Sequence, residues 1–142
     1  MVKLEKFVLH TTKYNDFINI TDKVEKIEKD SGIHCGVVYV ITGHTTTGIT
    51  VNEALECLQS DMHDLMWTLV PENAPYSHAR MLHSYGTTAG NPTGHLRSML
   101  TGNHAVFPVD NGKLIRGGAQ EIFFCEYDGA QSRTVYVEVM GE

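Results

Sequence analysis

The sequence has little from which to build a disulfide frame, a membrane span or a nucleic-acid surface. Its cysteines, Cys35, Cys57 and Cys125, are odd in number and widely separated. That excludes a disulfide scaffold or a paired-cysteine zinc knuckle and reads as buried free thiols in apolar runs. No apolar stretch approaches the roughly 18 residues of a membrane helix, and the N-terminus from Met1 to Lys6 lacks the core of a signal peptide. A cytoplasmic chain with no membrane partner is expected. Basic residues are also scarce: 11 Lys and Arg against 17 Asp and Glu give a formal charge of −6. Nucleic-acid binders present the opposite balance, a basic face that displaces counterions. Repeats, low-complexity tracts and linkers are absent, and 142 residues at 42% hydrophobic content suit one compact domain spanning residues 1–142.

The periodicities alternate between strand and helix. Leu4, Phe7 and Leu9 among charged neighbours predict a strand from about Val2 to Thr11. Ile20, Val24 and Ile27 put an apolar side on a helix from Asn19 to Ser31, with Thr21 as its cap and Gly32 as its terminator. The Val- and Ile-rich run Cys35–Thr42 predicts a central strand covered on both faces. A short strand at Ile49–Val51 precedes a helix from Glu53 to Val70, in which Leu55, Leu58, Met62, Leu65 and Leu69 recur at helical spacing and Pro71 stops the run. Residues 71–93 lose periodicity and read as a long loop. Thr93 caps a short helix, Gly94–Leu100, that Gly102 ends. Strands then follow over Ala105–Val109, Lys113–Arg116, Gln120–Tyr127 and Arg133–Met140, with Asn111-Gly112 and Asp128-Gly129 as turns.

The stretch Gly43–Glu53 packs an imidazole, several hydroxyls, an amide and a carboxylate between two conformational breakers. A simple reversal needs Gly, Asn or Asp, not a histidine followed by three threonines. Eight histidines are present, and His44, His78, His95 and His104 precede or enter breaks in structure. Three imidazoles from separate segments would satisfy a catalytic metal site and leave a position open, although no HExxH or paired spacing singles them out. The competing reading of each is a surface or hydrogen-bonded histidine. Glu53 is a candidate to orient an imidazole or act as general base, or else simply favours the positive end of the helix it precedes. Arg97 and Arg133 offer planar donor forks for phosphate, Arg97 near a helix start where backbone amides are free.

Taken together these pieces resemble the YjbQ-like family, small proteins sometimes described as secondary thiamine-phosphate synthases. The carriers run along essentially the whole chain: His44-Thr45-Thr46 leading to Asn52-Glu53, Asp61, Tyr76-Ser77-His78, Asn91, His95-Leu96-Arg97, Gly102, Asn111-Gly112, Gly117, Gln120, Glu126, Asp128-Gly129 and Arg133. The resemblance implies an α+β fold, a single domain in which twisted mixed β-sheets form a sandwich or open barrel with two to three helices. It implies a homotrimer with pockets near subunit boundaries. His44, His78 and His95 are then the metal candidates, for a divalent ion, zinc or magnesium. Glu53, Asn91, Arg97 and Arg133 are the catalytic candidates, and Thr45, Thr46 and Asn52 the substrate-binding ones. His83 and His104 match no family position. Ala119, Ala130 and Gln131 depart from the family's usual Trp, Pro and Arg.

The function expected on this basis is that of a metal-assisted enzyme acting on a small phosphorylated molecule, with thiamine-phosphate synthesis as a secondary activity. A metal-dependent hydrolase would need only water as the nucleophile. A non-catalytic metal- or anion-binding trimer is the alternative from a different class.

Overall fold

In a computed structural model of the chain, which describes residues 1–80 and 91–142, the elements in order are β1 (Val2–His10), β2 (Asp16–Asn19), α1 (Thr21–Ser31), β3 (Cys35–Thr42), β4 (Thr47–Asn52), α2 (Glu56–Leu69), α3 (Ser77–Arg80), α4 (Pro92–Thr101), β5 (His104–Asp110), β6 (Lys113–Leu114), β7 (Glu121–Glu126) and β8 (Ser132–Gly141). One sheet runs β1-β8-β3-β5-β6 and the other β2-β7-β4. Every strand pair recorded is antiparallel. The core lies between the sheets. Val38, Val40, Val135, Val137 and Val139 from the first sheet meet Ile49, Ile122 and Phe124 from the second, and α1 closes the layer with Val24. This is the α+β fold expected, with four helices among the described residues instead of two to three.

Several local expectations need correction. Thr21 is the first residue of α1, not its cap; its hydroxyl accepts from the Ile122 N–H at 2.8 Å, while Asn19 Oδ1 accepts from the Thr21 N–H at 3.0 Å. Asp16–Asn19 pairs with β7, a strand too short to announce itself. The described part of 71–93 includes a single helical turn, α3, and the start of α4, where Pro92 occupies the first turn as proline's fixed φ allows. Thr93 meets the Tyr14 hydroxyl at 3.2 Å instead of capping α4. Of the cysteines only Cys125 is buried; Cys35 and Cys57 are exposed. Burial pushes the Cys125 thiol up to about 12. His83 and Tyr85 lie outside the described residues. Among the described residues no helix is long and apolar enough to cross a membrane.

Helix α2 departs furthest from expectation. Its leucines recur at helical spacing, yet none of its residues is buried; Leu65 and Leu69 are 54% and 57% exposed. Periodicity marked the apolar side correctly, but the described residues do not bury it.

Three connections cross from one sheet to the other at the same end of the core. Register fixes this: Thr42 pairs with Val135 in the first sheet, while Thr47 pairs with Glu126 in the second. His10 pairs with Ser132 and Asp16 with Glu126. The segments 43–46, 127–131 and 11–15 therefore converge, and α4 lies across them. Helix and strand approach closely there through glycine: a Cβ on Gly94 would sit 3.0 Å from the Tyr127 carbonyl oxygen and 3.2 Å from Thr46 Cγ2.

Candidate functional site

Convergence of these crossings places charged groups where strands normally carry apolar ones. Glu126 ends β7 and Arg133 is the second residue of β8; their side chains are 0% and 2% exposed. Arg133 Nε donates to Glu126 Oε1 at 2.9 Å and Nη2 to Oε2 at 2.6 Å. Thr11 Oγ1 donates to Oε1 at 2.6 Å and the Asp128 N–H to Oε2 at 3.1 Å. Burial by itself would raise the Glu126 pKa, but the bonds from Arg133, Thr11 and the Asp128 amide, with the arginine's charge, hold it below the ordinary carboxylate value.

From this buried pair the network reaches outward to two histidines. Arg133 Nη2 also donates to Thr46 Oγ1 at 3.0 Å. Thr46, itself fully buried, turns its backbone N–H onto His44 Nδ1 at 3.1 Å, and its hydroxyl lies 2.9 Å from the same nitrogen. A nitrogen that accepts from a backbone N–H carries no proton of its own, so neutral His44 bears its proton on Nε2. The His44 pKa is held below the ordinary histidine value, first by desolvation of the ring and next by the Arg133 charge.

On the other side, Asn91 precedes α4. Its Nδ2 donates to Asp128 Oδ2 at 2.7 Å, and its Oδ1 lies 3.2 Å from His95 Nε2. An ionised carboxylate only accepts, so the amide nitrogen must face Asp128 and the amide oxygen must face His95. His95 thus donates from Nε2 to Asn91 and keeps a lone pair on Nδ1.

His44 and His95 line one cleft of about 580 Å³ together with Thr42, Thr45, Ser98 and Met99. His95 also borders a smaller cavity of about 370 Å³ beside Tyr76 and His78. The His78 and His95 rings meet edge to face with centroids 5.1 Å apart, and His78 Nδ1 is buried without a hydrogen-bond partner among the described residues. A separate cavity of about 560 Å³ between β1 and α1 is lined by Lys3, Lys6, Lys23 and Lys26. It holds no imidazole. Lys3 is bonded to the Ser31 carbonyl, Lys26 to Asp30, and Lys23 lies over the Phe7 ring, so three of its four amines are already engaged.

The structure thus sorts the residues singled out from the sequence. His44, Thr45, Thr46, Asn91, His95 and Arg133 come together, with His78 adjoining. Asn52 and Glu53 do not: they are exposed at the far end of β4, roughly 17 Å along the strand from Thr47 at ~3.3 Å per residue. Asn52 Oδ1 accepts from the Glu53 N–H at 2.9 Å, and among the described residues the Glu53 carboxylate does not reach His44 or His95. Arg97 is buried away from the cleft. Its guanidinium lies 3.8 Å over the Trp67 ring and donates to Val70 O, Asn15 Oδ1 and Glu72 Oε2, which gives it a structural task in place of the phosphate contact expected.

Of the three imidazoles, His44 does not fit a resident zinc or magnesium centre, since it offers a proton at Nε2 where a cation needs a lone pair; His95 commits Nε2 to Asn91 but keeps the Nδ1 lone pair. Among the described residues no group of three or more His, Cys, Asp or Glu is arranged to hold a metal ion. Sequence reasoning passed over Glu126, Asp128 and Thr11 as site residues. A glutamate closing the apolar run Ile122–Cys125 was the available signal, since a carboxylate there must be buried and therefore paired. Ala119, Ala130 and Gln131 are exposed. Gln131 ties its backbone to Thr11 in both directions at 2.9 Å and does not line the cleft.

Comparison with known proteins agrees with the resemblance. A family model described as UPF0047 protein YjbQ-like matches residues 5–142. The UPF0047 protein YugU of Bacillus subtilis is 36% identical over 138 residues, covering 97% of this chain and 99% of its own. A UPF0047 protein of Archaeoglobus fulgidus is 37% identical over 135 residues, covering 95% and 99%. The crystal structure of a YbjQ-like protein of unknown function from Sulfolobus solfataricus P2 superposes with a TM-score of 0.93 at 31% identity, covering 100% of this chain and 99% of that one.

Proposed function

The chain belongs to the UPF0047 family of YjbQ-like proteins, and from that premise we propose that the cleft between His44 and His95 is the active site of an enzyme acting on a small phosphorylated molecule. The observation that carries this reading is the shared cleft itself: two imidazoles, each fixed through a different hydrogen bond to the protein interior, border one open space. His44 Nε2–H is a fixed donor for a phosphate oxygen. The Glu126–Arg133 pair behind it keeps the Thr46 turn rigid, the type of pre-organisation on which transition-state stabilisation depends. Thr45, exposed at the mouth, adds a hydroxyl.

Thiamine-phosphate synthesis, the activity implied by the resemblance, is one reaction of this class, with a diphosphate as the leaving group. Hydrolysis with water as the nucleophile is another. We place the site in a homotrimer of cytoplasmic location. The apolar side of α2, left exposed by the described residues, supports a second copy as its occupant, and Met99, 71% exposed, lines the cleft itself.

A panel of phosphate monoesters, diphosphates and thiamine precursors incubated with purified protein, with His44→Ala and His95→Ala run in parallel, tests the assignment. Turnover by the wild type that either substitution lowers by roughly 100-fold or more supports it. Turnover that survives both substitutions moves the active site elsewhere.

A further inference from the structure

His44 and His95 carry their protons on the same ring atom but commit opposite ring nitrogens to the protein. In His44 the bare nitrogen, Nδ1, is taken by the Thr46 backbone N–H at 3.1 Å, leaving Nε2–H for a ligand. In His95 the protonated nitrogen, Nε2, is taken by Asn91 Oδ1 at 3.2 Å, leaving the Nδ1 lone pair. Neither arrangement is free to invert. The Thr46 donor is main chain, and the Asn91 amide is oriented by Asp128 at 2.7 Å. From this we infer that His44 is a permanent hydrogen-bond donor and His95 a proton acceptor, so that the site takes phosphorylated substrates whose nucleophile brings a proton, water or an alcohol, with Asn91 and Asp128 as positioning residues.

This deepens the proposed function and rests on it. The step balances without further reagents. The nucleophile's oxygen forms a bond to phosphorus, and its proton passes to His95 Nδ1. The bond from phosphorus to the leaving oxygen breaks and its electron pair departs with that oxygen. His44 keeps its proton, because surrendering it would leave an imidazolate; it stabilises the departing oxyanion by hydrogen bonding alone. A ring nitrogen without a proton, such as that of a thiazole, would leave His95 idle. The arrangement therefore favours hydrolysis or transfer to a hydroxyl over alkylation of a ring nitrogen.

Among the described residues, the charged groups near these rings are Arg133, Glu126 and Asp128. Arg133 and Glu126 lie behind Thr46 and are paired with each other, and Asp128 stands behind Asn91. His78 abuts His95 edge to face.

The test begins without substrate. In histidine-15N-labelled protein near neutral pH, long-range proton–nitrogen spectra distinguish a protonated ring nitrogen from a bare one. Both His44 and His95 are expected as Nε2–H tautomers. Asn91→Leu is expected to release the preference at His95 while leaving His44 unchanged. Asn91 makes no side-chain cap bond to α4, so the substitution removes the tie to Asp128 but no helix cap. Asp128→Asn, which no longer dictates the amide orientation, is expected to relax His95 without removing Asn91. A proton on Nδ1 of His44, or a His95 tautomer indifferent to both substitutions, overturns the inference. With a substrate in hand, His95→Gln should lower kcat by roughly 100-fold or more for water or alcohol as nucleophile; an equal loss with a proton-free nucleophile also overturns it. Absence of turnover on every phosphorylated compound would count against the proposed function, whereas the spectra report on the rings independently of it.

Discussion

Arg133→Met isolates the buried pair that supports the site. The substitution keeps much of the side-chain length but removes charge-assisted bonds of 2.9 and 2.6 Å to Glu126, and it leaves that carboxylate, 0% exposed, with only the Thr11 hydroxyl and the Asp128 amide. Removing one member of a buried ion pair costs about 3–5 kcal/mol because the other charge stays buried. Wild-type Arg133 is itself imperfectly satisfied, with Nη1 buried and unpartnered among the described residues, so the lower half of that range is expected. At ~2.1 cal/mol/K per residue the unfolding entropy of a chain this size is ~0.3 kcal/mol/K, and about 3–4 kcal/mol becomes a fall in Tm of roughly 10–13 °C. Urea denaturation followed by circular dichroism, at fixed protein concentration to hold any oligomer constant, gives the free energy directly. Glu126→Gln combined with Arg133→Met should recover about 2 kcal/mol of the loss, since no unpaired charge remains. A single-variant loss under about 1 kcal/mol, or a double variant no better than the single, would refute the account of the pair as the anchor of the crossings.

Further predictions concern pH, packing and assembly. The Glu126 pKa is lower in the folded chain than its ordinary value of 4.5, so the unfolded chain binds the proton more readily; the pair's contribution is complete above that value and disappears as pH falls through the folded pKa, which acid titration of wild type against the double variant should reveal as a steeper loss in the wild type. Gly94→Ala forces a Cβ to within 3.0 Å of the Tyr127 carbonyl and should cost about 1–3 kcal/mol; unchanged urea midpoints would mean that α4 shifts freely. Leu65→Glu with Leu69→Glu, on a helix without a buried residue, should lower the oligomer mass in sedimentation while leaving the circular dichroism spectrum intact, and an unchanged mass would remove α2 from the interface.

Legibility varied with how local the cause was. The sheet strands declared themselves through alternation, Val135, Val137 and Val139 above all, and all three are fully buried. Asn111-Gly112 forms its turn as read, with φ of 52° and 69°. The loop at His44 was visible because its composition exceeds what a turn requires. Less was visible where the cause is long-range. The tie between Arg133 and Glu126 depends on two sheets exchanging strands at one end, which no window of sequence contains. Glu53 looked close to His44 because they are near in sequence, but a strand running away from the loop separates them. Arg97 looked like a phosphate ligand until Trp67, Val70 and Glu72 folded over it. The α2 leucines were correctly seen as an apolar side, although periodicity cannot say whether its partner belongs to the same chain.

The most direct measurement is a titration of inorganic pyrophosphate into histidine-15N-labelled protein, following the ring nitrogens individually. Saturable displacement of His44 Nε2 and His95 Nδ1 at a common concentration, with His34 beside the β5–β6 turn unmoved, is the predicted result. Ring nitrogens of His44 and His95 that stay in place while pyrophosphate binds elsewhere, or does not bind, would contradict a phosphate-binding cleft between them.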